Sequence, residues 1–293
     1  MAGLRDEEGL VNSGRFDVGR EARRMARVAG LVLMTSTMLP AYVIRRRFTP
    51  PSERDQVRAR WAGVWASSLL NLFGIRVLAQ GPMLGADRGH LVVANHRSAA
   101  DILLVLRAFG GTIVSRSDIA RWPLFGRAAR VVGTVFVDRS DAVSGAHAVR
   151  TIRALLRAKA TVIIFPEGTT YPDDEVRPFF AGAFVAAMHM PVDIVPVGIA
   201  YGSGSGAAFV NESFGAHLSR MAGAPPSTVA MCVGRPIAID SSSRSATLRD
   251  ESREAVQSLV RAARLLVDGT GGESRTNQEL TGRKGGNQSS PGA

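Results

Sequence analysis

From residue 75 to residue 233 short apolar runs alternate with stretches of helical periodicity, and this rhythm confines the chain to an α/β layer architecture. Strands are expected near 75–79, 90–94, 112–115, 134–137, 161–165, 194–200 and 228–233. Helices are expected over 98–109, 119–130, 141–158, 179–189, 206–221 and 247–268, the last carrying Leu248, Val256, Leu259, Val260, Ala263 and Leu266 at helical spacing. The expected fold is a single mixed-sheet α/β domain over residues 74–268, flanked by helices. From Gly269 apolar residues nearly vanish, so 269–293 is expected to be a disordered tail, and residues 1–22 a polar one. No internal repeat is present.

Ahead of the domain, residues 23–60 hold nine arginines against Glu53 and Asp55, a net +7 of the chain's +11. Within them Val28 to Ile44 is uncharged, a stretch of 17 residues. As a helix it reaches ~26 Å, a little short of the ~30 Å hydrocarbon core. The run starts late, follows Asp6, Glu7 and Glu8, and ends in Arg45-Arg46-Arg47, which does not fit a secretory signal peptide. Arginines on both sides give no single-pass orientation, so the expectation is a helix dipping into one leaflet. Residues 55–73 read as an amphipathic helix with Trp61 and Trp65 on its apolar stripe, suited to a headgroup interface. Segment 23–73 is therefore expected to be a helical membrane-binding segment; two ordinary core helices with a solvated basic face fit the same residues.

A single cysteine, Cys232, excludes an intrachain disulfide, and no Cys/His cluster offers a zinc site. The positive balance invites an anionic partner: a membrane surface, a phosphorylated substrate or nucleic acid. The arginines cluster around an apolar segment rather than along an aromatic-studded groove, which argues against nucleic acid. A non-enzymatic basic protein remains the rival of another class.

Chemistry concentrates at strand exits. His90-Leu-Val-Val-Ala-Asn95-His96-Arg97-Ser98-Ala-Ala-Asp101 is a buried strand passing directly into a helix. On a continuous helix His96 and Asp101 would lie ~140° apart around the axis. With His96 in the turn and Ser98 as N-cap, Asp101 falls in the first turn and points back at the imidazole. A carboxylate on one ring nitrogen leaves the other as general base. A capped helix with an incidental histidine fits equally. Thr161-Val-Ile-Ile-Phe165-Pro166-Glu167-Gly168-Thr169-Thr170 puts Glu167 at the carboxyl edge of a sheet, where open α/β folds bind ligands. Val132 to Arg139 ends in an arginine able to hold an anion through its planar fork. Ile194 to Ile199 is a buried strand. The Gly202-Ser-Gly204-Ser-Gly206 run mimics a dinucleotide fingerprint, but no second acidic strand end follows it, and no GxSxG or Walker motif occurs.

In this order the four segments resemble the motif blocks of the glycerolipid acyltransferase family, which includes 1-acyl-glycerol-3-phosphate acyltransferase. The resemblance covers about residues 75–200, with NHxxxxD and FPEGT the specific blocks, and takes in Arg116-Ser117-Asp118 ahead of Trp122-Pro123-Leu124-Phe125-Gly126. It implies acyl transfer from acyl-CoA or acyl-carrier protein to the hydroxyl of a lysolipid, with no further cofactor and no metal. On that analogy His96 is the base and Asp101 its orienter. Asn95, Ser98, Arg116, Arg139, Glu167, Gly168 and Thr169 are the implied substrate-binding residues, and Arg177 joins them only by its nearness in sequence. Lysophosphatidate is the implied acceptor and the cytoplasmic face of a membrane the implied location. The chain departs from the phosphatidate-forming pattern at Thr170, in place of an arginine, at Phe180, in place of a basic residue, and at Arg116, in place of a lysine. Those departures open a phosphate-free acceptor such as lyso-ornithine lipid; Arg177 is the nearest replacement cation.

Overall fold

The structure, a computed structural model, describes residues 17–282 except 83, 86, 87, 123, 124, 139, 210 and 211. Two helices come first, α1 (Val18–Arg47) and α2 (Arg54–Leu72). Then follow β1 (Ile75–Gln80), β2 (Gly89–Ala94), α3 (Ala100–Phe109), β3 (Thr112–Arg116), α4 (Phe125–Val131), β4 (Val135–Val137), α5 (Ala142–Arg157) and β5 (Thr161–Ile164). The chain continues through α6 (Gly182–Ala187), β6 (Val192–Tyr201), α7 (Phe214–Gly223), β7 (Ser227–Val233), β8 (Ile237–Ala238) and α8 (Ser245–Gly282).

The sheet is mixed, in the order β1-β7-β6-β2-β5-β3-β4, with β8 beside β6. Strands β6, β2, β5, β3 and β4 run parallel to one another, while β7 and β8 are antiparallel to β6. The central strands are buried on both faces, which is why they read as continuous apolar runs. Alternation then sends Val92, Ala94 and Ile163 toward α2 and α3, where they pack with Leu69, Leu70 and Leu104. Leu91, Val93, Val162 and Ile164 face the opposite layer, with Ile152 and Leu156 of α5 and Val256 and Val260 of α8. Parallel pairing brings the carboxyl ends of β2, β3, β4, β5 and β6 to one edge, the edge at which open α/β sheets bind ligands.

Several boundaries differ from expectation. Helix α3 begins at Ala100 rather than at 98, with Ser98 Oγ accepting the Ala100 N–H (3.2 Å) and Asp101 taking the N–H groups of Arg97 and Ser98. The helix expected over 119–130 is a 3-10 turn, Ser117–Arg121, followed by α4, because Trp122 takes an extended backbone ahead of Pro123. Helix α7 starts at Phe214, where Ser213 accepts the Ala216 N–H, rather than at 206. Gly204 and Gly206 hold left-handed backbone and break helical continuation, so the glycine run opens no helix. Helix α8 continues to Gly282, past the expected limit at 268: the segment after Gly272 contains ordinary helix formers, and extending a helix is far less costly than nucleating one. Helix α1 likewise starts at Val18, inside the expected polar tail, because Asp17 caps it through the Arg20 N–H. The rest of the two expected tails, 1–16 and 283–293, lies outside the described residues.

Candidate active site

Beyond the last core residue of β2, the amide of Asn95 is spent on β6: its Nδ2 donates to the Ile199 carbonyl (3.0 Å) and its Oδ1 accepts the Ile199 N–H (2.8 Å). That clamp fixes where the chain leaves the sheet. The His96 N–H then donates to Glu167 Oε1 (2.8 Å), and its carbonyl accepts the Tyr171 N–H (2.9 Å). The imidazole stacks on Phe165, with centroids 4.1 Å apart.

His96 Nδ1 lies 2.9 Å from Asp101 Oδ2, and the carboxylate side chain is 0% exposed while the imidazole is 18% exposed. The same Oδ2 accepts the Arg97 and Ser98 N–H groups (2.6 and 2.8 Å), and Oδ1 accepts the Tyr201 hydroxyl (2.5 Å). Burial, and after it the charge of Asp101, pushes the Tyr201 phenol well above its ordinary pKa, so it stays a donor. Every other partner of the carboxylate being a donor, His96 Nδ1 carries its proton toward Asp101 and Nε2 is the nitrogen left for a substrate.

Glu167, 4% exposed, stands behind this pair rather than in the cleft. Its Oε1 holds His96 and its Oε2 accepts the Arg177 N–H (3.0 Å), tying the β2 exit to the β5 exit. Burial drives its pKa up to about 7, against the lowering effect of those two N–H bonds. Gly168 makes the tight turn, its N–H donating to the Phe165 carbonyl (3.1 Å), with φ +84, a conformation that excludes most side chains.

A cleft of about 680 Å³ opens in front of the pair, lined by His96, Arg116, Gly168, Thr169, Thr170 and Phe180 among others. Behind it a mainly apolar cavity of about 220 Å³ runs between α1, α2 and the sheet. Ile102, Ile113, Ile119, Trp122 and Phe214 line both spaces. Trp61 and Trp65 face this cavity, Trp65 donating to Thr35 Oγ1 (3.2 Å), instead of forming the expected headgroup belt; the apolar stripe of α2 is taken up by α1 and α3.

Four expected substrate residues therefore take other places. Asn95 is a buried clamp, Ser98 is fully buried with its Oγ accepting the Ala100 N–H (3.2 Å), and Glu167 organises backbone. The Arg177 guanidinium is held by Asp173 (2.8 Å) and Glu175 and lies over the Tyr171 ring. His96, Arg116, Gly168 and Thr169 line the cleft, with Arg116 paired to Asp118 (3.1 Å). Arg139 lies outside the described residues. Tyr201 was not singled out from sequence. Its signal was positional: parallel pairing of β6 with β2 places residue 201 at the edge that carries His96. Among the described residues no three His, Cys, Asp or Glu side chains converge as metal ligands.

The acyltransferase family model matches residues 76–200. A lyso-ornithine lipid O-acyltransferase of Pseudomonas aeruginosa is 32% identical over 180 residues, covering 61% of this chain and 67% of that protein. A probable 1-acyl-sn-glycerol-3-phosphate acyltransferase of Mycoplasma genitalium is 30% identical over 157 residues, 51% of this chain and 57% of the other. The chain thus spans about half to two thirds of the length of the curated relatives it matches. The crystal structure of a 1-acyl-sn-glycerophosphate acyltransferase from Thermotoga maritima has the same fold, with a TM-score of 0.65 at 20% identity, over 83% of this chain and 97% of that one.

Proposed function

The chain belongs to the glycerolipid acyltransferase family, and from that premise we propose that it moves a fatty acyl group from a thioester, acyl-CoA or acyl-carrier protein, to the free hydroxyl of a lysolipid. The observation that carries the reading is the His96–Asp101 pair, 2.9 Å apart at the wall of a cleft backed by an apolar cavity. In this mechanism Nε2 removes the proton of the acceptor hydroxyl as its oxygen attacks the thioester carbonyl. The buried carboxylate stabilises the imidazolium, and the tetrahedral intermediate collapses by expelling the thiolate, which takes the proton back. No covalent enzyme intermediate and no cofactor is needed; general-base assistance of this kind is worth ~10²–10⁴ in rate. The apolar cavity suits the acyl tail.

Lysophosphatidate is the first acceptor of this reading, its phosphate falling to Arg116 and Arg139. A phosphate-free lysolipid such as lyso-ornithine lipid is the second. It is favoured by one observation: Arg116 and Arg177 are both already paired with acids of their own.

Docking is to a membrane surface on its cytoplasmic face, where both donors reside. Helix α1 is the one described helix long and apolar enough to cross a bilayer. Its Arg27 is nevertheless tied to the carbonyls of Leu72, Ala222 and Ala224, and Arg23 to that of Gly223, which supports a helix lying on the bilayer. Outward it shows Val32, Leu33, Val43 and Ile44 beside Arg45, Arg46 and Arg47. The test is thiol release from acyl-CoA and acyl-carrier protein with lysophosphatidate and lyso-ornithine lipid in parallel. Release dependent on one lysolipid names the acceptor. Salt-sensitive DNA binding with no thiol release would support the non-enzymatic rival.

A further inference from the structure

The N–H groups of Arg97, Ser98, Ala99 and Ala100 have no carbonyl to receive them, since they lie at and ahead of the start of α3. Side chains receive them instead. Asp101 takes those of Arg97 and Ser98, and Ser98 Oγ takes that of Ala100. The remaining one, Ala99 N–H, donates to Nε2 of His217 on α7 (3.3 Å), a residue distant in sequence. His217 is wholly buried; its Nε2 accepts the Ala99 N–H and so presents its lone pair to the loop, which leaves the proton on Nδ1, 3.1 Å from Glu212 Oε1 and 3.1 Å from Arg220 Nη2. Phe209 packs on the imidazole at 4.4 Å and donates its own N–H to the Arg97 carbonyl (2.8 Å), strapping the same loop a second time.

We propose that His217 is a positioning residue for acyl transfer: by accepting the Ala99 N–H it fixes the loop that keeps His96 Nδ1 on Asp101. The kinetic part of this proposal rests on the acyl-transfer reading; the structural part does not. The charged groups facing the ring are Glu212 ahead of α7, Arg220 on α7 and Asp101 on α3, while Arg23 and Arg27 of α1 bind the carbonyls at the far end of α7. Burial, and after it the opposed effects of Glu212 and Arg220, lowers the His217 pKa and keeps Nε2 an acceptor.

Two variants of the full chain separate positioning from packing. His217→Gln can place an amide oxygen where Nε2 stands and keep the Ala99 bond; His217→Asn reaches only toward Glu212. Nitrogen-15 histidine spectra of the full-length protein, taken without substrate, should show His217 protonated at Nδ1 in the wild type. His96 should be protonated at Nδ1 in the wild type and in His217→Gln, and should lose that signature in His217→Asn. In turnover His217→Asn should lower kcat ~10–100-fold with the lysolipid KM within about threefold, and His217→Gln should stay within about threefold of wild type. A His217 protonated at Nε2, His96 spectra unchanged in folded His217→Asn, or equal kcat losses in both variants would overturn the proposal. If His217→Asn fails to fold, the wild-type tautomer and His217→Gln decide it. Absence of transfer by the wild type would count against the proposed function alone, since the spectra need no acceptor.

Discussion

In the proposed reaction His96 can act as a base only while Nδ1 is committed elsewhere, and the commitment belongs to a carboxylate that accepts four hydrogen bonds while buried. An amide replaces it only in part: with its NH₂ turned to the Tyr201 hydroxyl its oxygen still accepts the Arg97 and Ser98 N–H groups, but no negative charge is left to stabilise an imidazolium. Asp101→Asn should therefore lower kcat ~10²–10⁴-fold and destabilise the fold by about 1–3 kcal/mol, read by turnover and by urea denaturation. Glu167 gives a pH signature of its own. Its folded pKa of about 7 lies above the ordinary carboxylate range, so its contribution to stability is fully present below that range and is lost as pH rises through about 7. The unfolding free energy of wild type relative to Glu167→Gln should accordingly fall between pH 4.5 and pH 8; a flat difference would contradict the burial argument.

At the scale of elements, α8 lies directly against the backbone of β6. A Cβ on Gly198 would stand 2.2 Å from the Leu259 backbone, so Gly198→Ala must push helix and strand apart. The expected loss is about 1–3 kcal/mol, seen as a lower Tm. The central strands β2, β5 and β6 could be read from sequence because burial on both faces leaves an unbroken apolar run, and Val92 and Val93 carry the same signal whichever layer they face. The two-residue β8 carries no period to read. Helix periodicity showed that Trp61 and Trp65 share a face, but not whether lipid or α1 covers it. The His96–Asp101 contact was legible because its members stand only five positions apart. The bonds of Asn95, Ser98 and Arg177 to Ile199, Ala100 and the Asp173/Glu175 pair were not legible, since only the folded chain or a side-chain rotamer reveals those partners. His217 was invisible for the same reason: its partner loop is joined to it by the sheet.

On the whole molecule, α1 and α2 both cover the core and line the apolar cavity, so removing them would destroy more than a membrane contact. Substitutions on the outward face are the better probe. Leu33→Glu with Ile44→Glu, both at exposed positions, should reduce sedimentation with anionic liposomes severalfold while leaving the Tm within about 2 °C. Equal sedimentation would place the membrane contact elsewhere. The arrangement of edge, cleft and cavity has one consequence that outranks the rest, namely chemistry at a single imidazole. The most direct measurement is lysolipid-dependent release of free thiol from an acyl thioester by wild type and by folded His96→Ala. The expected result is release by the wild type and a loss of at least ~10²-fold in the variant; near-normal turnover by folded His96→Ala would contradict it.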